Sequence, residues 1–229
     1  KTKNIHIPEF LCFSDFDKYI HQWKKCDIKK YSSIGSLQAS FAKDYIKSKD
    51  ILNKSENYDI CLVSEFQPEL DGDWSHVEDL QDKLGQLAEY VYRLGKECEL
   101  KIIFIGKSST EDREAEIIFF KNYIKNNDFQ ITPYFPSNYT GYVNLVKSKL
   151  VIGLKSTILR EAFLFKKKVL ACNFTGHKDI IFPSNGICNL KEDTSYEDFK
   201  SRVLSILKMS NEEYIKQLSK DKNYIMNTE

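Results

Sequence analysis

Apolar positions along the chain change period, and each change marks an element. The centre of the pattern is Ser148 to Gly176. Leu150 to Leu154 is a short continuous apolar run that reads as a buried strand, and Lys155-Ser156-Thr157 breaks it. Ile158 to Phe165 then has helical apolar spacing, and Lys168 to Asn173 is a second strand, which together make a βαβ unit. Upstream, Tyr58 to Ser64 is the strongest strand of the first half. Val77 to Glu99 predicts a long amphipathic helix, with Leu80, Leu84, Leu87, Ala88, Val91, Leu94 and Cys98 at three-and-four spacing. Lys101 to Lys107 is a further buried strand, followed by a helix over Glu111 to Asn126, an extended run Phe129 to Phe135 and a shorter helix over Ser137 to Lys149. Strands alternating with helices predict an α/β fold with a doubly wound, mostly parallel Rossmann-like sheet.

The two ends are less regular. Asn4 to Phe13 contains Pro8 and suits an edge strand, Ser14 caps a helix over Asp15 to Lys25, and Phe16, Tyr19 and Trp23 form its expected core side. Lys29 to Gly35 reads as a strand, and a helix follows from Ser36 or Leu37 to Ile46, with Gly35-Ser36 either a tight turn and cap or part of a cleft. The polar stretch Lys47 to Asn57 reads as a linker, and Glu65 to His76 as a surface loop. After Phe174 the chain is irregular, recovers a strand at Ile187 to Leu190 and closes with helices over Ser195 to Lys208 and Ser210 to Tyr224. Ser195 with Asp198 has N-cap spacing, and Ser210 with Glu213 that of a capping box.

Composition narrows the chemistry. Of 229 residues 41% are hydrophobic, enough for a large self-supporting core. Lys and Arg number 34 against 33 Asp and Glu, a formal charge of +1, so no global field favours nucleic acid and any anion site must be local. Six cysteines lie without a CxxC pair, several inside apolar runs, which fits buried reduced thiols and a cytoplasmic location. No apolar run approaches the ~20 residues that cross a bilayer. A dinucleotide fingerprint, a Walker P-loop and a GxSxG elbow are all missing, against NAD, ATP hydrolysis and that class of serine hydrolase.

Candidate chemistry gathers where parallel strands end. Helix N-termini and strand carboxyl ends attract anions, and four turns fall there: Ser64-Glu65, Lys107-Ser108-Ser109, Lys155-Ser156-Thr157 and Thr175-Gly176-His177. Ser156 and Thr157 can cap their helix or offer hydroxyls to a phosphate, and Glu161, one turn on, can face the same mouth or solvent. Lys107 and Lys155 supply cations there. His177, or more weakly His76 beside Trp74, is the candidate for proton transfer, and Glu65 the carboxylate best placed for acid or base work; ordinary solvated loop residues are the competing reading of each. Asp15-Phe16-Asp17 and Asp71-Gly72-Asp73 do not demand a metal, and no metal or cofactor is expected.

From Tyr58 to Met226 the chain resembles GT-B-fold bacterial surface-carbohydrate biosynthesis glycosyltransferases. These are related to the retaining Kdo transferases of capsule and O-antigen assembly and to the CDP-glycerol glycerophosphotransferases. The residues that carry the likeness are Tyr58-Asp59-Ile60 with Ser64-Glu65, Ile105-Gly106-Lys107, Ser156-Thr157 with Glu161, and Cys172-Asn173 followed by Gly176-His177. The resemblance implies a donor-binding domain over 51–229, with 1–50 the remnant of, or junction to, a further N-terminal domain. The implied activity is transfer of a sugar, Kdo or a related acidic sugar, from a nucleotide-activated and CMP-linked donor to a glycan or lipid-linked glycan acceptor. It also implies peripheral membrane association of the full-length protein, and a chain that by itself binds nucleotide without transferring sugar. A CDP-polyol phosphotransferase of the same architecture and a non-catalytic Rossmann-like binding module are the alternatives.

Overall fold

The computed structural model describes residues 5–23, 27–51, 57–67, 79–108, 112–177 and 180–228, with only the backbone at 21–23. The N-terminal part contains β1 (His6–Ile7), β2 (Phe10–Cys12), α1 (Asp15–Trp23), β3 (Asp27–Ile28), β4 (Tyr31–Ser33) and α2 (Leu37–Ser48). Here β1 pairs with β3 and β2 with β4, both in parallel, so the expected edge strand around Pro8 is split into two short pieces. Proline has no N–H to give to a ladder, which accounts for the break.

The rest alternates as the hydrophobic pattern predicts: β5 (Tyr58–Val63), α3 (Leu80–Cys98), β6 (Ile102–Ile105), α4 (Arg113–Ile124), β7 (Ile131–Thr132), α5 (Thr140–Val146), β8 (Ser148–Gly153), α6 (Thr157–Glu161), β9 (Lys168–Cys172) and β10 (Asn189–Leu190). Three helices close the chain, α7 (Tyr196–Lys208), α8 (Asn211–Lys216) and α9 (Lys222–Ile225). Strands β5 to β10 form one six-stranded sheet in the order β10-β9-β8-β5-β6-β7, every pair parallel. The chain starts in the middle at β5, winds outward to β7, then crosses back to β8 and winds the other way. This is the doubly wound order, and its switch point lies between β5 and β8.

Both faces of the central strands are covered, as parallel sheets require. Ile60, Cys61, Leu62, Val151 and Ile152 have no exposed surface, and neither has the α3 stripe of Leu84, Leu87, Ala88, Val91 and Leu94. The cysteines at 12, 61, 172 and 188 are buried free thiols and Cys98 is half-buried. Burial pushes the Cys61 and Cys172 thiols well above their ordinary value. No helix among the described residues is long and apolar enough to cross a membrane.

Some boundaries differ from expectation. The helix expected over Ser137 to Lys149 becomes a 3-10 turn at Pro136–Asn138 and then α5, because Ser148 already pairs with Tyr58 in the sheet. The last helix splits in two. The carbonyl of Gln217 is taken by Ile187 N–H, and Asp221 starts a new helix by accepting from Asn223 N–H. Tyr19, expected in the core, is 55% exposed, whereas Phe16 on the same helix is buried.

Candidate site at the sheet switch point

Because all six strands run the same way, the turns after β5, β6, β8 and β9 open on one edge of the sheet. The crossovers diverge on either side of β5 and β8, and the carboxyl ends of strands at such a switch point are where open α/β sheets take ligands. Ser64 and Glu65 leave β5 there, and Lys155, Ser156 and Thr157 leave β8.

Glu65 does not point into solvent. It is 6% exposed, and its Oε1 accepts from the backbone N–H groups of Leu154 (2.8 Å), Lys155 (2.7 Å) and Ser156 (3.1 Å). The turn that begins α6 is thus an anion nest, and an internal carboxylate already sits in it. Burial pushes the Glu65 carboxyl up, while the three N–H groups and the Lys155 ammonium pull the other way. Lys155 is half-buried beside it. Burial pushes that ammonium down to about 8, against the pull of Glu65, and nearby Lys107 adds to the lowering.

A second glutamate repeats the arrangement one turn along. Glu116, in the first turn of α4 and 1% exposed, takes the Lys107 N–H on Oε1 (3.0 Å) and the Ser108 N–H on Oε2 (3.2 Å). Its Oε1 also accepts a very short hydrogen bond from the Ser64 hydroxyl. Ser64 and Ser108 are therefore buried against Glu116, and their polar groups serve the loop. The side chains left toward the outside are Lys107 and Thr157, both exposed; Ser156 is half-buried, and the Lys155 ammonium nitrogen has almost no exposed surface. Ser156 holds the N-cap position of α6 but makes no side-chain cap bond, contrary to the expected hydroxyl cap. Glu65 has already taken the N–H of Ser156 itself.

Glu161, expected at the mouth, is 4% exposed and faces the N-terminal part. Its Oε1 accepts from Ser36 Oγ (2.5 Å) and its Oε2 from the Tyr142 hydroxyl (2.7 Å). Ser36 caps α2 at the same time through Ala39 N–H. The adjoining Gly35 has φ +74, and a Cβ there would fall 2.5 Å from the Asn227 carbonyl oxygen, so only glycine lets the C-terminal segment pass so close. Arg160 completes the junction. It grips Asp17 with two parallel bonds (2.9 and 3.0 Å), donates to Ser14 Oγ (2.9 Å) and to the Ile225 carbonyl (2.8 Å), and lies over the Phe13 and Phe16 rings.

After β9, Thr175 Oγ1 donates to Asn173 Oδ1 and accepts from His177 N–H. The His177 carbonyl takes Ile180 N–H and the Asn173 amide, and the imidazole is half-buried on the same sheet edge as the other turns. Gly176 has φ +65, with Glu192 against the space a Cβ would fill. Ser109, His76, Trp74 and the Asp71-Gly72-Asp73 stretch lie outside the described residues, as do residues 52–56 of the Lys47 to Asn57 stretch. Among the described residues no group of three or more His, Cys, Asp or Glu side chains could hold a metal ion.

Periodicity missed Glu116 and Arg160. Each had a signal, an acid in the first turn of a helix that follows a hydroxyl-rich loop, and an arginine inside an otherwise apolar helical stretch. Neither signal says where the partner lies.

No family model matches the chain. No curated protein matches it either. Among solved structures, the crystal structure of TarM aligns with a TM-score of 0.45 and 15% identity, over 86% of this chain and 36% of that one. The fold assignment rests on the strand order itself.

Proposed function

We propose that this chain is the donor-binding part of a glycosyltransferase and holds a nucleotide sugar in the crevice between β5 and β8. The observation that carries the reading is the β8–α6 turn at the switch point. It gathers half-buried Ser156 and exposed Thr157 over the buried Lys155 ammonium, with exposed Lys107 alongside, while its backbone donors are occupied by Glu65. Phosphate binding on this edge then falls to side chains. Lys155 and Lys107 meet the negative charge, and the Ser156 and Thr157 hydroxyls donate to phosphate oxygens. The likeness of the chain's motifs to surface-carbohydrate glycosyltransferases supports the same reading.

In this mechanism the leaving nucleotide phosphate gains charge as the glycosidic bond breaks, and preorganised lysines stabilise it without a metal ion. His177, on the neighbouring strand end, donates to the donor's phosphate or to a carboxylate of the transferred sugar. Glu65, expected from its place after β5 to do acid or base work, is buried in the turn, and by its hold there it keeps Lys155 and Ser156 in place. The donor is a CMP-linked acidic sugar such as Kdo, the acceptor is a bacterial surface glycan, and the reaction takes place in the cytoplasm.

The test is calorimetry of the purified chain with CMP, UDP and CDP-glycerol, comparing wild type with a Ser156→Ala/Thr157→Ala double variant. Ser156 makes no cap bond, so the double variant should lose less than the ~1 kcal/mol typical of a cap and remain folded. Nucleotide affinity is expected to fall about 5- to 30-fold, about one net hydrogen bond per hydroxyl removed. Equal affinity in wild type and double variant would remove the site from this turn, and preferential binding of CDP-glycerol would move the activity to polyol-phosphate transfer.

A further inference from the structure

A cleft that shares no residue with the proposed donor site lies where the N-terminal part meets the last helices. It is a cavity of about 230 Å³ lined by α1, by the 181–185 stretch that follows the His177 turn, and by Ser219, Lys220 and Tyr224. Phe16 is the buried aromatic residue of the lining. The Tyr19 ring lies nearly parallel to it, with centroids 6.3 Å apart, and the Tyr224 ring stands at 69° to it, with centroids 6.0 Å apart. The aromatic surfaces therefore form a corner. Tyr19 is 55% exposed and Ile181 43% exposed, so much of this apolar surface meets water.

The rest of the lining is polar and held in place. Ser219 Oγ accepts the Asn185 N–H (2.8 Å) and shares a hydrogen bond with Ser184 Oγ (2.9 Å), while the Asn189 carboxamide donates to the Ser184 carbonyl (3.0 Å). Asn185 and Lys220 are exposed. Lys220 is the one charged group among the described lining residues, and its ammonium lies 5.2 Å from the Tyr224 ring centre. Arg160 ties α1 through Asp17 and the α9 end through the Ile225 carbonyl, so both helices are positioned before any ligand arrives.

Exposed aromatic faces beside fixed polar groups suit a molecule that has an apolar face and a polar rim. A pyranose ring is built that way: its axial C–H bonds make a weakly positive apolar face, which complements the negative face of an aromatic ring, and its hydroxyls project around the edge. The cleft is smaller than the ~300–1,000 Å³ of sites for drug-sized ligands, so it takes one ring and not a nucleotide. A lysine with no acid beside it in the described lining favours an anionic group on that ring.

We propose that this cleft is a carbohydrate site for one pyranose ring bearing a carboxylate. Tyr19 and Tyr224 pack against the ring, the Asn185 carboxamide meets its hydroxyls and Lys220 its carboxylate. The inference stands whether or not the chain transfers a sugar, because neither its residues nor its assay involve a nucleotide.

The experiment is a saturation-transfer NMR titration of the full chain with methyl glucuronide and with methyl glucoside. The glucuronide is expected to bind more tightly, with transfer strongest at its ring C–H protons, and its advantage should shrink in raised salt as the carboxylate's attraction to lysine is screened. Tyr19→Ala should weaken glucuronide binding about three- to tenfold. Tyr19→Phe keeps the aromatic face and should bind as wild type does. Lys220→Gln should bring the glucuronide down to the affinity of the glucoside, a loss of about two- to fivefold. Tyr134→Ala removes an exposed aromatic ring elsewhere and should match wild type. Tyr19, Lys220 and Tyr134 are exposed, so melting curves close to wild type are expected for all these variants. Absence of transfer to either sugar, equal affinity for the two sugars in wild type, or equal loss in Tyr19→Ala and Tyr134→Ala overturns the proposal.

Discussion

At the scale of single residues, the carboxyl edge of the sheet is set by carboxylates that the fold keeps for itself. Glu65 holds three backbone N–H groups on one oxygen, and a glutamine side chain presents an equivalent carbonyl oxygen in the same place. Glu65→Gln should therefore keep the turn and stay within about 1 kcal/mol of wild type. Glu65→Ala orphans the donors and should cost about 1–3 kcal/mol for each N–H that water fails to reach. The pH dependence separates charge from geometry. Burial raises the folded-state value of Glu65 above its ordinary 4.5, so between those two values the folded chain binds more protons than the unfolded one. Stability from this group is then present below about 4.5 and is lost as pH rises through the raised value. Urea unfolding of Glu65→Gln and wild type across the acid range should show the variant gaining on wild type as pH rises. A difference that stays constant with pH would mean that Glu65 ionises as an ordinary glutamate.

At the scale of elements, α6 is short but joins three parts of the chain. Its Arg160 binds α1 through Asp17 and the α9 end through the Ile225 carbonyl, and Glu161 beside it binds the start of α2. Arg160→Ala leaves Asp17 nearly buried without its cation and should cost about 3–5 kcal/mol. Arg160→Lys keeps the charge but cannot reproduce the planar fork, and should fall between alanine and wild type. Hydrogen exchange is the discriminating measurement. Amides of α1 and α9 should exchange faster in both variants while those of β5 and β8 hold, whereas uniform acceleration would deny Arg160 a local role. This junction was invisible to sequence periodicity for a physical reason. Apolar spacing reports that a helix has a buried face, and it located α3, β6, β8 and β9 to within a few residues. An ion pair between Arg160 and Asp17 spans 143 positions and depends on which faces meet in the folded chain. The Glu65 contact with the β8 turn, 89 to 91 positions away, is of the same kind. Caps, by contrast, are local: Ser36, Ser195 and Ser210 accept from the N–H groups that their spacing predicts, and Ser210 with Glu213 closes a full capping box.

At the scale of the whole molecule, the doubly wound order brings Lys155 and Glu65 together at one switch point, and the burial of Lys155 there makes the proposed donor affinity sensitive to mildly alkaline pH. Burial lowers the Lys155 ammonium to about 8 from an ordinary 10.5. A bound phosphate next to it favours the charged form and raises the value again. Below about 8 the cation is already present in the free chain. Above it, binding must take up a proton, so nucleotide affinity should fall by up to about tenfold per pH unit until the value in the complex is reached. Calorimetry in buffers of different ionisation enthalpy, near neutrality and about two units above it, reads that proton uptake directly. Lys155→Arg stays charged throughout and should bind with little pH dependence, and Lys155→Gln should bind weakly at every pH. Stability moves the other way. With the folded value below the unfolded one, the unfolded chain binds more protons between about 8 and 10.5, so Lys155 makes folding more favourable as pH rises through that window. Loss of affinity together with steady or rising stability therefore identifies titration of Lys155 and rules out unfolding as the cause. A wild-type affinity that stays flat through that range would remove Lys155 from contact with the phosphate.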